Sequence, residues 1–202
     1  MQRLLYNTAK QMLKTYKSAP NIYISGGGLN SQASQFSSQA KAKAGSLPMF
    51  EYPSGANIPI PPSIKSPKLQ KLLQQGATRQ EIKTEFGTLT LKQLEQVGDV
   101  KYNAAIVQHL IKQHPQIKWP ERMYLYNTLR SNAQLNAFAK SLRTVDRIQA
   151  RNVTGVKAVA DVQEAEFGAM AFEKGRDKTT KYIQSLIEPA IPFHREVYKA
   201  HT

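Results

Sequence analysis

The chain has 202 residues, 41% of them hydrophobic, a net charge of +14 and no cysteine. That length suffices for one domain with a genuine core plus an appendage. The missing cysteine removes disulfides, thiolate catalysis and cysteine-based zinc and iron–sulfur centres.

The first fifty residues carry no acidic side chain; Glu51 is the first. Leu4, Leu5, Ala9, Met12, Leu13 and Tyr16 fall at roughly helical spacing, with Lys10, Lys14 and Lys17 interleaved. The spacing predicts a short basic amphipathic helix over 1–17. A basic, serine-rich, acid-free start has the composition of a mitochondrial targeting segment, or of an anchor lying on a membrane surface. The plainer reading is a surface helix packed on a neighbour.

Residues 18–66 are rich in Ser, Gly, Pro and Ala, and Pro48, Pro53, Pro59, Pro61 and Pro62 favour extended backbone. We expect an extended arm that lies on something else. Phe36, Phe50 and Tyr52 are spaced along it as anchors for pockets of a partner subunit, and Lys41 and Lys43 add charge. Its run SGGGLN lacks the Lys-Ser/Thr pair of a phosphate loop and the G-x-G-x-x-G spacing of a dinucleotide loop, so it reads as a turn.

From residue 67 to 202 the punctuation is helical, and the fold class expected is all-α. Ser66-Pro67 opens one helix and Gly76 ends it. Thr78 and Glu81 form a capping box for a short helix to Gly87, and Thr90 starts another that ends near Gly98. Asp99 then caps a helix stopped by Pro115, and Pro120 opens the next. Residues 133–151 carry the apolar stripe of a packed helix, and 156–187 read as one helix or two, broken at Gly168 or Gly175. Pro189 and Pro192 precede a terminal helix around His194–Ala200, and only Asn21–Ser25 and Gly98–Tyr102 read weakly as strands.

No constellation of catalytic or metal-binding residues stands out, and neither a cofactor nor a small-molecule substrate is expected. His109 and His114 are five apart, which misses the i, i+4 pair of a helical zinc site, so all four histidines read as surface residues. Asp161, Glu164 and Glu166 lie among Arg151, Lys157, Lys174 and Arg176 and read as solvated helix-face charge. Trp119, Tyr124, Tyr126, Phe138, Phe167, Phe172 and Tyr182 read as core. The stretch Ala77–Val97 resembles a helix-turn-helix about Gly87, although Glu95 would repel phosphate; a plain helical hairpin is the simpler reading.

The charge distribution points to polyanionic neighbours. Residues 1–68 hold eight basic groups and one acid, the rest twenty and thirteen. Such a field attracts RNA, anionic lipid such as cardiolipin, or acidic protein surfaces. No two Lys or Arg residues are adjacent and Lys outnumbers Arg nineteen to nine, which weighs against RNA. No apolar run approaches the ~20 residues of a membrane span. In layout — basic helix, extended arm, helical domain — the chain resembles the supernumerary subunits of mitochondrial ATP synthase and respiratory complexes. That resemblance implies a non-catalytic accessory subunit, in the matrix or on the matrix face of the inner membrane, bound to other subunits of a large complex. Lys10, Lys14, Lys17, Lys41 and Lys43 would meet lipid or acidic partners. The alternative is a mitochondrial ribosomal protein that binds rRNA through its basic arm.

Overall fold

The computed structural model describes residues 48–75 and 80–202. The expected helix over 1–17, the arm as far as Leu47, with Phe36, Lys10, Lys14, Lys17, Lys41 and Lys43, and the capping residue Thr78 lie outside the described residues. Eight helices and one small hairpin follow in chain order: α1 (Pro67–Gln74), β1 (Ile82–Thr84), β2 (Gly87–Leu89), α2 (Leu91–Lys112), α3 (Trp119–Leu129), α4 (Asn132–Ser141), α5 (Thr144–Ile148), α6 (Gly155–Lys174), α7 (Arg176–Ile187) and α8 (Ala190–His201). The all-α reading holds. No helix among the described residues is long and apolar enough to cross a membrane.

Two expected helices are corrected. Residues 82–89 form an antiparallel hairpin in which Ile82 faces Leu89 and Thr84 faces Gly87, so there is no helix-turn-helix. Thr84 Oγ1 bonds the Gly87 carbonyl at 2.7 Å and accepts from Phe86 N–H at 3.1 Å, closing the turn locally. Helix α2 does begin at Thr90, whose side chain forms a capping box with Gln93. It then runs straight through Gly98 and Asp99 for 22 residues, where the sequence suggested a stop and a new cap.

Gly98 persists inside a helix because of what lies across from it. Helices α2 and α6 cross at Gly98 and Gly168, and a Cβ on Gly98 would overlap the Glu164 carbonyl, as one on Gly168 would overlap that of Leu94. Glycine costs about 1 kcal/mol in a helix relative to alanine, which the close backbone packing must offset. Around this crossing one apolar cluster gathers Tyr102, Ile106, Leu125, Phe138, Phe167 and Ile183, and a second gathers Leu69, Leu72, Leu94 and Val162. Gly175 ends α6 with a positive φ of 84°, so the expected break falls there and not at Gly168.

The described part of the arm is extended, but it packs on its own chain. Phe50 is buried against Phe138 and Phe193, and Tyr52 donates its hydroxyl to the Leu186 carbonyl at 2.8 Å. Gln134 clamps the strand-like backbone, accepting from Phe50 N–H at 3.0 Å and donating to the Phe50 carbonyl at 2.8 Å. Phe50 and Tyr52 are therefore core and near-core residues rather than anchors for a partner. Burying an aromatic side chain of this size is worth about 2–3 kcal/mol, which suffices to fix the segment in place. Trp119 departs from its expected role in the opposite direction, standing 69% exposed.

The same glutamine reaches α8, where His194 donates Nε2–H to Gln134 Oε1 at 2.8 Å. Burial pushes His194 down from 6.5 to about 4. The unfolded chain takes up this proton near pH 6.5 and the folded protein only near pH 4, so stability is lost as pH falls through that window. Chemical denaturation at pH 4.5 should show His194 costing about 2–3 kcal/mol relative to pH 7.5. A His194→Gln variant removes that part of the pH dependence; an unchanged slope would refute the assignment.

Candidate functional site

The glycine crossing brings four carboxylates together. Glu95 and Asp99 stand one turn apart on α2 beside Gly98, and Asp161 and Glu164 stand three apart on α6, one turn before Gly168. Carboxylate oxygens of Glu95, Asp161 and Glu164 lie within 4.8 Å of one another. Asp99 is exposed at the edge, held by Asn103 Nδ2 at 2.7 Å. The reading of Asp161 and Glu164 as freely solvated charge is thus corrected: Glu164 is buried and Asp161 half-buried.

Crowding has an electrostatic consequence. Burial, and then the charges of Asp99, Asp161 and Glu95, raise Glu164 from 4.5 to about 8, against a smaller opposing pull from Lys157. Two lysines from the same helices answer the negative charge. Lys157 Nζ bonds both Asp161 oxygens at 2.7 Å, and Lys92 pairs with Glu95. The cluster has the all-oxygen donor set of a hard divalent cation such as Mg²⁺, and Glu95, Asp161 and Glu164 are the residues that would hold it, with Asp99 adding charge at the edge.

A group whose folded value is raised in this way destabilises the fold as pH rises through the window from about 4.5 to about 8. Glu164→Gln should therefore stabilise the protein at pH 8 by on the order of 2 kcal/mol, a rise in melting temperature of roughly 4–8 °C. The gain at pH 5 should be far smaller. Thermal melts at the two pH values check this, and equal gains at both would sink it.

Below the cluster a buried polar chain ties α5 to α6. Arg147 grips Glu166 with two bonds of 2.6 and 2.9 Å, Gln163 Nε2 adds a third to Glu166 at 3.2 Å, and Thr144 Oγ1 donates to Gln163 Oε1 at 2.6 Å. Glu166 is fully interior, so it too is removed from the solvated face. Its fork-to-fork geometry is the strong form of ion pair, and its role is to orient the helix that carries Asp161 and Glu164.

The histidines also depart from expectation. His109 and His194 are buried, and His109 and His114 converge on Glu188 of the α7 C-cap, 74 or more residues away in sequence. Burial pushes the Glu188 carboxyl up, but its bonds to both imidazoles outweigh that and hold it below its ordinary value.

Comparison with protein-family models gives no match, and neither does comparison with curated proteins. Among solved structures, similarity is found to the nuclease domain of ribonuclease III from Campylobacter jejuni, described for structural flexibility in a region involved in dimer formation. The TM-score is 0.52 at 18% identity, over 64% of this chain and 92% of that one. The chain shares the fold of a ribonuclease III nuclease domain. The match spans nearly the whole of that domain, and the likeness is one of architecture.

Proposed function

We propose that this protein is an RNA-binding structural component of the mitochondrial ribosome, holding rRNA with its basic surface on a nuclease-type scaffold. The observation that carries the reading is the shared fold with a ribonuclease domain, whose name makes RNA its substrate. Of the polyanionic partners that a +14 chain attracts, this favours RNA over lipid or acidic protein. The acid-free, basic first fifty residues support a mitochondrial address. Val100, Val107 and Ile111, spaced by seven and four along α2, leave an apolar row exposed, with Trp119 exposed beyond the end of the helix. Such a row suits protein neighbours within a large particle.

A second reading, metal-dependent cleavage of RNA, is favoured by the four carboxylates alone. A bound divalent cation would polarise a phosphate and activate water there. Glu95, Asp161 and Glu164 would fix its position, with Asp161 released from Lys157 and Glu95 from Lys92. The pairing of Asp161 with Lys157 and of Glu95 with Lys92 weakens the charge available to a cation, which is why binding rather than cleavage is proposed.

The test is a density gradient of mild-detergent mitochondrial extract carrying the C-terminally tagged protein, run with and without ribonuclease. Migration with ribosomal particles that collapses on ribonuclease treatment is expected. Migration with ATP synthase or respiratory subunits, insensitive to ribonuclease, would replace this reading with that of an accessory subunit of an energy-transducing complex. Purified protein incubated with structured RNA and Mg²⁺ or Mn²⁺ addresses the second reading: cleavage abolished by Glu164→Gln would make the protein a nuclease.

A further inference from the structure

We infer that His109, His114 and Glu188 form a zinc-binding site, with three protein ligands and one position open to solvent. It stands apart from the carboxylate cluster, since His109 follows Asp99 by ten residues of α2, about 15 Å along the helix axis. The inference does not rest on RNA binding.

Three separate elements deliver the ligands. His109 lies in the last turn of α2, whose final bond runs from Gln113 N–H to the His109 carbonyl at 2.9 Å. His114 opens a tight turn closed by Ile117 N–H to its carbonyl at 3.1 Å, and Ile117 is buried, which pins the turn to the body. Glu188 caps α7, its N–H bonded to the Gln184 carbonyl at 3.1 Å. Each ligand is thus held by backbone structure, and the three meet without a long flexible loop between them and the core.

The geometry is that of a ligand set. Both imidazoles turn the same nitrogen, Nε2, toward one carboxylate oxygen, Oε2 of Glu188; for His114 the separation is 3.2 Å. A tetrahedral zinc with bonds of about 2.0–2.1 Å holds its ligand atoms roughly 3.3 Å apart, so the His114–Glu188 spacing already fits. The His109 pair is closer and opens for the ion to enter. The rings stand 69° apart with centroids at 5.6 Å, so the two nitrogens approach from different directions rather than stacking. His109 is shielded and the Glu188 side chain is half exposed, so the fourth position faces water. Two imidazoles and one carboxylate with an open position suit zinc better than magnesium or calcium, which prefer all-oxygen shells.

The site closes a corner of the fold. It would join the end of α2, the loop to α3 and the α7–α8 junction, so binding should stabilise the native state in proportion to its occupancy. The experiment titrates full-length, metal-stripped protein with Co²⁺, followed by visible absorption, and with Zn²⁺, followed by melting temperature. We expect one equivalent of Co²⁺ to give tetrahedral-type visible bands that Zn²⁺ displaces. Zinc at a hundredfold excess over its dissociation constant should raise the melting temperature by about 5 °C or more, whereas Mg²⁺ should not at this site. His114→Gln and Glu188→Gln should each abolish the bands, while Glu164→Gln and His201→Gln keep them. Circular dichroism of the metal-free variants confirms that they fold; should either fail, the wild-type titration alone decides. Absence of bands and of a zinc-dependent shift in the wild type, or bands retained in His114→Gln, would overturn the site.

Discussion

Alanine at Gly98 is expected to destabilise the protein by about 4 kcal/mol or more and to pull the carboxylate cluster apart. A single methyl group there meets the Glu164 carbonyl and the backbone nitrogen of Gly168, neither of which can rotate out of the way. Helices α2 and α6 would have to separate along the most extensive packing surface in the fold, a repacking cost above the usual range for an added methyl because the clash is with backbone on both sides. Helix propensity pulls the other way, since alanine is favoured over glycine by about 1 kcal/mol in an isolated helix. The sign of the result is therefore informative. Urea denaturation of Gly98→Ala should show a large loss, and a variant as stable as wild type would mean that the backbones are not in contact.

Arg147→Met should cost about 3–5 kcal/mol, because it leaves the Glu166 carboxylate unpaired in the interior. The side chain of Glu166 is only 1% exposed, so water cannot replace the guanidinium. Replacing both residues with methionine should recover most of that loss, since a buried pair is often worth little more than apolar packing of similar volume. A double-mutant cycle measures the coupling between them; single and double variants of equal stability would show that Glu166 is solvated or carries a proton without its partner. The loss should also loosen α6 and with it the positions of Asp161 and Glu164.

Much of the helical punctuation was legible because it rests on local chemistry. Ser66-Pro67, Thr90, Pro120 and Gly175 act within a few residues, and each marks a boundary that the fold uses. The hairpin at 82–89 was missed because Thr78 and Glu81 have the spacing of a capping box and Gly87 that of a helix stop, whereas here Gly87 sits in a strand with a positive φ of 111°. It is the Thr84 side chain, bonded across the turn, that settles the choice. Gly98 misled for a different reason. Read locally, it ends a helix; in the fold it admits a second helix, and only the matching Gly168 one turn after Glu164 hints at that. Paired carboxylates next to each of two mid-helix glycines were the signal for the cluster. Nothing local could have joined Glu188 to His109 and His114, or set Phe50 against Gln134, since those contacts close over 74 to 84 residues.

The clamp on Phe50 has a consequence for the order of events during synthesis. Gln134 emerges from the translating ribosome 84 residues after Phe50, and His194, which shares the same amide, later still. At roughly 5–20 residues per second, the segment around Phe50 and Tyr52 spends on the order of ten seconds or more without its docking groove. During that interval its aromatic side chains have no native burial site. The segment around Phe50 and Tyr52, made before every described helix, is thus among the last to find its place, and α8 completes its seat through His194.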